Sequence, residues 1–463
     1  MFGCSVARSH SKMIFDGKTV LIIGTGKSGI AAAELLAKKN AKLFLYDGNE
    51  KLTEETVREK SPVLKEAKIF IGTLPESALA ETELAVVSPG VSLETPVVQS
   101  IKEHLIPIIG EIELAYQCAS GKLVAITGTN GKTTTTALTG EILASFFEDV
   151  KVVGNIGIPY TSMALETTEN SVTVAEISSF QLETAKMFAP DVSAILNITP
   201  DHLDRHHTME NYIRMKESIA KNQNASQVLV LNYEDSVLRE FAPKAPCKVV
   251  FFSSARKLED GFFLKDDTLC MANDGEITSI LPINELQILG THNVENALAA
   301  CAMAYCMGVP LENIQSALKN FHAVEHRIEY VATKDGVRYY NDSKGTNPDA
   351  AIKAVLAMQW PTWLIAGGYD KHSEYDEWIE SFGDKVKGMA LIGQTKEKIA
   401  ACCDKHHFQN YACFETFEEA ISYCKEHAKE GECVLLSPAC ASWGMFQNYE
   451  ERGRIFKDIV NRF

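Results

Sequence analysis

"LVAITGTNGKTTTTALTGEIL", Leu123 to Leu143, decides how the rest of the chain is read. An apolar, strand-like run ends at Thr127. A glycine turn, Gly128-Thr129-Asn130-Gly131, follows, and Lys132, Thr133 and Thr134 open a helical pattern. A nucleoside triphosphate requires that order: backbone amides cradle phosphate, Lys132 neutralises the β and γ oxygens, and the Thr133 hydroxyl reaches magnesium. Ile126 stands where the strict GxxxxGK[ST] pattern has its first glycine. The plainer alternative is a threonine-rich helix start, but strand, turn, lysine and hydroxyls in sequence favour ATP.

A second glycine loop precedes it. "IIGTGKSGIAAAELL", Ile22 to Leu36, matches GxGxxG at Gly24, Gly26 and Gly29, and Asp47 ends the next strand-like run. The spacing suits a dinucleotide, with phosphate at a helix N-terminus, but that geometry accepts any diphosphate. Tight packing of helix on strand is the other explanation, so the loop alone does not identify its ligand.

Outward from these loops, short apolar runs alternate with helical patterns: "KTVLIIG", "AKLFLYD", "KLVAITG", "VTVAEIS", "VSAILNI" and "QVLVLN", then "GVRYYNDSK", "PTWLIAGG", "GMALIG" and "CVLLSPA". This alternation predicts an α/β protein of parallel sheets covered by helices. Three domains fit the length of 463 residues. They are a Rossmann-like N-terminal domain over 1–110, a central P-loop ATPase-type α/β domain over 111–323, and a Rossmann-like C-terminal domain over 324–463. A hydrophobic content of 46% with 23% charged residues describes a globular chain, and a net charge of −16 argues against a nucleic-acid surface. Twelve cysteines contain no CxxC pair, which predicts reduced thiols. No apolar segment precedes Cys4 as a signal peptide requires, and no run reaches the roughly 18 residues of a membrane span. A cytoplasmic protein is expected, with Met1 to Lys12 as a flexible extension.

Chemistry is expected in the loops after the strands. Glu176 ends one strand in "VAEISSFQLE", and "LNITPDHLDRH" places Asp201, His202 and Asp204 after the next. These groups suit magnesium bridging a phosphate and a second substrate. The helix after Thr208 puts Tyr212, Ile213, Lys216 and Ile219 around one face, so Lys216 can point inward.

These motifs, with GTHNVENALAA, the His326-Arg327 pair, NDSKGTNP and SPACASW, resemble the Mur ligase family from about Phe15 to Phe463. The resemblance implies ATP-dependent ligation of D-glutamate to UDP-N-acetylmuramoyl-L-alanine through an acyl phosphate, a step of peptidoglycan precursor synthesis. It implies that the first glycine loop holds the uridine diphosphate of the substrate through Gly24, Thr25, Gly26, Lys27, Ser28 and Asp47, with Ser88, Pro89, Gly90 and Asn155 near the muramoyl group. ATP is assigned to Gly128 through Thr134, His292, Asn293, Asn296, Arg327, Asp342 and Lys344, the last three closing from the C-terminal domain. Lys132, Glu176, His202 and Lys216 are the implied catalytic set. Thr133, Glu176, His202 and a carbamate formed on Lys216 by carbon dioxide hold two magnesium ions. Thr346, Lys371, Ser442 and Tyr449 are the implied D-glutamate pocket. A monomer with small-molecule substrates, no nucleic acid and no membrane insertion completes the expectation.

The chain departs from the family pattern at Gly444-Met445, at Tyr449 where phenylalanine is usual, and after Asp47, where "LYDGNE" lacks an arginine found in some members. The DNPR motif of the diamino-acid-adding ligases is absent. Other amino-acid-adding Mur-type ligases and folylpolyglutamate synthetase-like ligases share the ATP machinery. An NAD-dependent oxidoreductase explains only the first loop, and a noncatalytic P-loop switch leaves the acceptor residues without purpose.

Overall fold

The computed structural model describes residues 13–155, 157–322 and 324–463. The expected extension, Met1 to Lys12, lies outside them. The first sheet consists of β1 (Thr19–Ile23), β2 (Lys42–Asp47), β3 (Lys68–Ile71), β4 (Leu84–Val87) and β5 (Ile108–Gly110), all parallel in the order 3-2-1-4-5. β1 reads TVLII and is buried at every residue, as a central parallel strand covered on both faces must be. The helix Lys27–Ala37 comes down on it through Ala31, Ala32 and Ala33. Gly29 makes that approach possible, since a Cβ there would sit 1.9 Å from the Gly24 carbonyl oxygen.

The second sheet has nine strands: β6 (Lys122–Thr127), β7 (Val150–Gly154), β8 (Val172–Glu176), β9 (Val192–Ile195), β10 (Val228–Asn232), β11 (Lys248–Ser253), β12 (Gly261–Lys265), β13 (Thr268–Asn273) and β14 (Glu276–Pro282). Their order is 14-13-12-11-10-9-6-8-7. The phosphate-loop strand β6 lies between β8 and β9, so Ile126 sits opposite both Glu176 and Ala194. The far end turns antiparallel at β12 and β13, where Asp266 and Asp267 both take positive φ in the two-residue turn. That hairpin end is absent from the sequence-level reading.

The third sheet holds β15 (Glu329–Lys334), β16 (Val337–Asn341), β17 (Thr362–Gly367), β18 (Val386–Ile392), β19 (Tyr411–Cys413) and β20 (Cys433–Leu436), in the order 15-16-20-17-18-19. Only β15 with β16 is antiparallel among the pairings of this sheet. The three sheets belong to two compact units. One contains the first two sheets through Leu281 and takes in Glu295–Leu318; the other comprises Pro282–Val294 and Lys319–Phe463. Among the described residues, eleven cysteines are free thiols and no helix is long and apolar enough to cross a membrane.

Within the first unit, the helix Glu111–Cys118 is buried along nearly its whole length between the first and second sheets. Its two acidic residues are handled differently. Glu113 accepts from the amides of Lys186, Met187 and Phe188 at 2.8, 3.0 and 3.1 Å, which satisfies a buried carboxylate. Glu111 accepts from Gln181 Nε2 at 2.6 Å through Oε1, with Thr161 beside it, and among the described residues no donor meets its Oε2 in good geometry. Burial therefore pushes the Glu111 carboxyl up to about 7, against the hydrogen bonds that favour its ionised form.

A carboxyl raised in the folded state contributes stability that is present below its unfolded value, near 4.5, and lost as pH rises through about 7. Glu111→Gln keeps the acceptor and removes the charge. It is expected to raise stability at pH 8 relative to pH 5 by about 1–3 kcal/mol. Urea unfolding at both pH values checks this, and an identical effect at both would contradict it.

Candidate active site

The phosphate loop begins where β6 ends. Gly128 has φ +152° and Gly131 φ +85°, conformations that admit the turn into the helix Lys132–Ala144. Lys132, the first residue of that helix, folds back so that its ammonium donates to the carbonyl oxygens of Gly128 and Thr129, both at 2.8 Å. Lys216 reaches the same place from the helix Met209–Glu217, capped by the Thr208 hydroxyl on the Asn211 amide. Its Nζ also donates to the Gly128 carbonyl, at 2.8 Å, and lies 4.6 Å from the centre of the Tyr212 ring. Two lysines thus share one oxygen.

Lys216 is 2% exposed, as inward as the helical spacing predicts. Burial, and then the neighbouring Lys132, drive its amine well below the usual lysine range, with Asp201 opposing. The amine is thereby biased to its neutral, nucleophilic form.

The loop is held from β9. Thr129 N–H donates to the Asn197 carbonyl at 2.9 Å and its hydroxyl to the Thr199 carbonyl at 3.0 Å. Asn130 N–H donates to Asn197 Oδ1 at 2.9 Å, and Asn197 Nδ2 returns to the Asn130 carbonyl at 3.1 Å. Two amides expected to face phosphate are therefore engaged by Asn197, a residue the motif reading passes over. The sequence "LNITP" carries the only hint, an asparagine at a strand end. Asn296 of the helix Thr291–Cys306, expected at the adenosine, accepts from the Thr135 hydroxyl at 3.1 Å and packs over Gly131, where a Cβ would meet its Oδ1 at 2.4 Å. Thr133 and Thr134 follow Lys132 in the first helical turn.

Glu176 ends β8, is 3% exposed and accepts from Asn155 Nδ2 at 3.2 Å through Oε1. Gly154 lies so close to it that a Cβ would fall 2.1 Å from the Glu176 carbonyl oxygen. His202 takes φ +52° just before the one-turn helix Leu203–His206, and its ring lies edge-on to Phe180, centroids 4.8 Å apart. Asp201 is beside it, Oδ2 at 3.6 Å from Nε2. His206 is buried against the Ser179 hydroxyl at 3.0 Å, and desolvation, then His202, lower it to about 4, so it is a neutral packing group near neutral pH.

At the first glycine loop, Asp47 is not open toward a ribose as a dinucleotide site requires. Its Oδ2 accepts from the Thr25 amide at 2.9 Å and hydroxyl at 2.6 Å, and its Oδ1 from the Asn49 amide at 3.0 Å. Burial raises the carboxyl, but these hydrogen bonds outweigh it and hold it below the usual range. Lys60, absent from the motif reading, donates to the Thr25 carbonyl at 2.9 Å. A cavity of about 370 Å³ opens there, bordered by Thr25, Gly26, Lys27 and Lys60 at the start of the helix that also carries Ser28. The Lys27 ammonium donates to the Gly157 carbonyl. Ser88, followed by Pro89 and Gly90, packs on the glycine loop itself, its hydroxyl donating to the Gly24 carbonyl at 3.3 Å.

In the second unit, β16 ends in Asn341 and hands over to Asp342, which is 3% exposed and accepts from the Ser437 hydroxyl at 2.8 Å. Burial raises Asp342 to about 7 despite Arg327. Among the described residues Arg327 Nε is buried without a partner, an orphaned donor of the kind a ligand oxygen satisfies. Lys344 Nζ lies 5.4 Å from the Tyr449 ring, and the Ser343 hydroxyl donates to the Tyr449 carbonyl at 2.8 Å. Arg452, fully buried and unflagged by any motif, binds this loop to the SPACASW loop through Ser343 Oγ, Ser343 O and Cys440 O at 2.9, 2.7 and 3.2 Å. Ser442 is buried two residues beyond Cys440. Lys371 is exposed, 5.9 Å from the Trp443 ring, on a loop joined to Ala441 by a bridge at Tyr369. Thr346 N–H donates to the Lys344 carbonyl at 2.9 Å. The candidates Thr346, Lys371 and Ser442 belong to these neighbouring loops, and Tyr449 opens the helix Tyr449–Asn461. His292 and Asn293 open the helix Thr291–Cys306; Asn293 Nδ2 donates to the Leu289 carbonyl at 2.7 Å, and burial lowers His292 to about 3.

Three family models match in order along the chain: the Mur ligase MurD-like N-terminal domain over residues 18–110, the Mur ligase middle domain over 126–304, and the Mur ligase glutamate ligase domain over 326–440. The UDP-N-acetylmuramoylalanine–D-glutamate ligases of Lachnoclostridium phytofermentans and Lachnospira eligens are 53% and 54% identical over 97% of this chain and 99% and 100% of their own. The chain belongs to the Mur ligase family. Among solved structures, this Mur ligase is similar in fold to the UDP-N-acetylmuramate–alanine ligase MurC of Thermotoga maritima, with TM-score 0.62, 18% identity and coverage of 96% and 99%. It is also similar to the MurF ligase of the same organism in complex with ADP, with TM-score 0.59, 18% identity and coverage of 98% and 97%.

Removing the Asn197 side chain takes one hydrogen bond from the Asn130 amide and one from its carbonyl. Asn197→Ala is expected to raise the KM for ATP about tenfold and to lower Tm by a few degrees, at roughly 1 kcal/mol for each lost hydrogen bond. Steady-state kinetics with varied ATP check this. An unchanged KM would show that the loop holds its shape without the Asn197 side chain.

Proposed function

We propose that this chain joins D-glutamate to UDP-N-acetylmuramoyl-L-alanine, cleaving ATP to ADP and phosphate. The observation that carries the reading is the identity of 53% and 54%, along 97% of the chain, with relatives named for that ligation. The substrate's L-alanyl carboxylate attacks the γ-phosphorus and ADP leaves. The D-glutamate ammonium loses a proton, its amine attacks the acyl carbon, the carbon–oxygen bond breaks so that phosphate leaves with the oxygen that had attacked phosphorus, and the nitrogen gives up a second proton. The product is an amide.

The chain's part in this is positioning and charge. Lys132 and the start of the helix Lys132–Ala144 bind the phosphates: in this structure the Lys132 ammonium caps two loop carbonyls, a contact that an incoming phosphate replaces with a stronger, charge-assisted one. Thr25, Lys27 and Lys60 line the cavity assigned to the uridine diphosphate. Arg327 offers its orphaned donor to the nucleotide, and Lys371 with Ser442 and Thr346 offers charge and hydroxyls to the D-glutamate carboxylates.

Magnesium would be held by the Thr133 hydroxyl, the Glu176 carboxylate, the His202 imidazole and an oxygen of Lys216 carbamate, at two sites, and supplies neutralisation of the phosphate charge. The donor set is oxygen-rich and suits a hard cation. An ammonium on Lys216 does not suit it, since it already shares the Gly128 carbonyl with a second lysine. The neutral amine adds carbon dioxide, loses one proton and becomes an anion, which removes the conflict with Lys132. A cytoplasmic monomer using small-molecule substrates fits this reaction.

Phosphate release should require ATP, magnesium, the muramoyl substrate and D-glutamate together, and L-glutamate or a diamino acid should not replace D-glutamate. A coupled phosphate assay checks this. Brisk release without an acceptor would indicate a plain ATPase, and turnover with a diamino acid would indicate a different ligase of the family.

A further inference from the structure

Arg205 belongs to none of the roles above, yet it ties the segment carrying His202 to two other parts of the chain. From the one-turn helix Leu203–His206 its guanidinium grips Glu183 in a fork, Nε to Oε1 at 3.2 Å and Nη2 to Oε2 at 2.5 Å. The other edge points across to the first domain: Nη1 donates to the Pro89 carbonyl at 3.1 Å and Nη2 to the Val91 carbonyl at 3.0 Å. Its plane lies 4.5 Å from the centre of the Phe180 ring, the ring that His202 also touches. The pair is only 12% and 11% exposed, so the contacts are poorly screened.

Resting on the ligase reading above, we infer that Arg205 is a positioning residue that fixes the Ser88–Val91 loop, and with it the muramoyl end of the substrate, against the loops carrying Glu176 and His202. Each partner sits where such a link needs it. Glu183 follows Glu176 by one short helix, Ser179–Leu182, and Arg205 follows His202 by three residues. At the other end, Ser88 packs on Gly24, whose Cβ would lie 3.1 Å from the Ser88 Cβ, so the gripped loop also abuts the first glycine loop, whose Thr25, Gly26 and Lys27 line the uridine-diphosphate cavity. One guanidinium connects the site of the substrate's nucleotide half to the site of its reacting carboxylate. A lysine cannot do this, because it lacks the planar fork that serves a carboxylate and two carbonyls at once.

A merely structural ion pair would change stability alone, so the test is a split among Michaelis constants. Full-length Arg205→Gln is expected to raise the KM for UDP-N-acetylmuramoyl-L-alanine tenfold to a hundredfold, the loss typical of hydrogen bonds to a charged group. The KM values for ATP and D-glutamate should stay within about twofold. Arg205→Lys should show the same split at smaller size, and it serves if Arg205→Gln does not fold. Glu183→Gln added to Arg205→Gln should cost little further, since both act through one contact. A lowered Tm with all three constants unchanged, or all three rising together, overturns the inference while leaving the ligase reading intact. A wild type without D-glutamate-dependent phosphate release overturns both.

Discussion

A single carbonyl oxygen, that of Gly128, receives two lysine amines, and much of the site follows from it. At a few ångström, two full positive charges repel by roughly 4 kcal/mol at an effective dielectric near 20. Burial of Lys216 adds a desolvation cost to that. A protein tolerates such an arrangement where anions are to arrive or where one amine is not a cation. Both apply in the proposed reaction: Lys132 awaits phosphate, and Lys216, already driven toward its neutral form, takes up carbon dioxide.

The fold exists around that loop in a concrete sense. β6 is flanked on both sides by parallel strands, so its C-terminal end opens between the ends of β8 and β9. β8 delivers Glu176 and β9 delivers Asn197, which holds the loop, and then the segment with His202. The same segment sends Arg205 to the Ser88–Val91 loop of the first sheet. Strand order therefore decides which chemistries become neighbours, while the side chains decide how firmly. In the second unit Arg452 has the corresponding task, holding the Asp342–Lys344 turn to the loop that leads to Ser442.

The α/β class, the three sheets and the ends of β2 and β8 at Asp47 and Glu176 were legible because buried parallel strands read as apolar runs and glycine loops mark their exits. Lys216 was legible through helical spacing. The hairpin end from β12 to β14 was not, since its strands mix lysine, threonine, asparagine and glutamate with the apolar residues and only the Asp266-Asp267 and Asp274-Gly275 turns announce it. Asn197, Lys60, Arg205 and Arg452 were missed for a common reason. Each acts through backbone carbonyls or amides distant in sequence, and such partners have no residue type to read. Asp47 showed the opposite limit: its spacing suits a dinucleotide, but only the structure shows its carboxylate already taken by Thr25.

The claim that most depends on the shared carbonyl is that Lys216 works as an anion. Carbon-13 spectra of the full-length protein equilibrated with labelled bicarbonate test it directly. One carbamate resonance is expected in the wild type, absent from both Lys216→Ala and Lys216→Arg. Turnover should be lost in both variants, with acetate restoring part of it only to Lys216→Ala, where a small carboxylate has room to stand in. A wild type without that resonance, or a Lys216→Arg variant with near-normal turnover, would contradict the account.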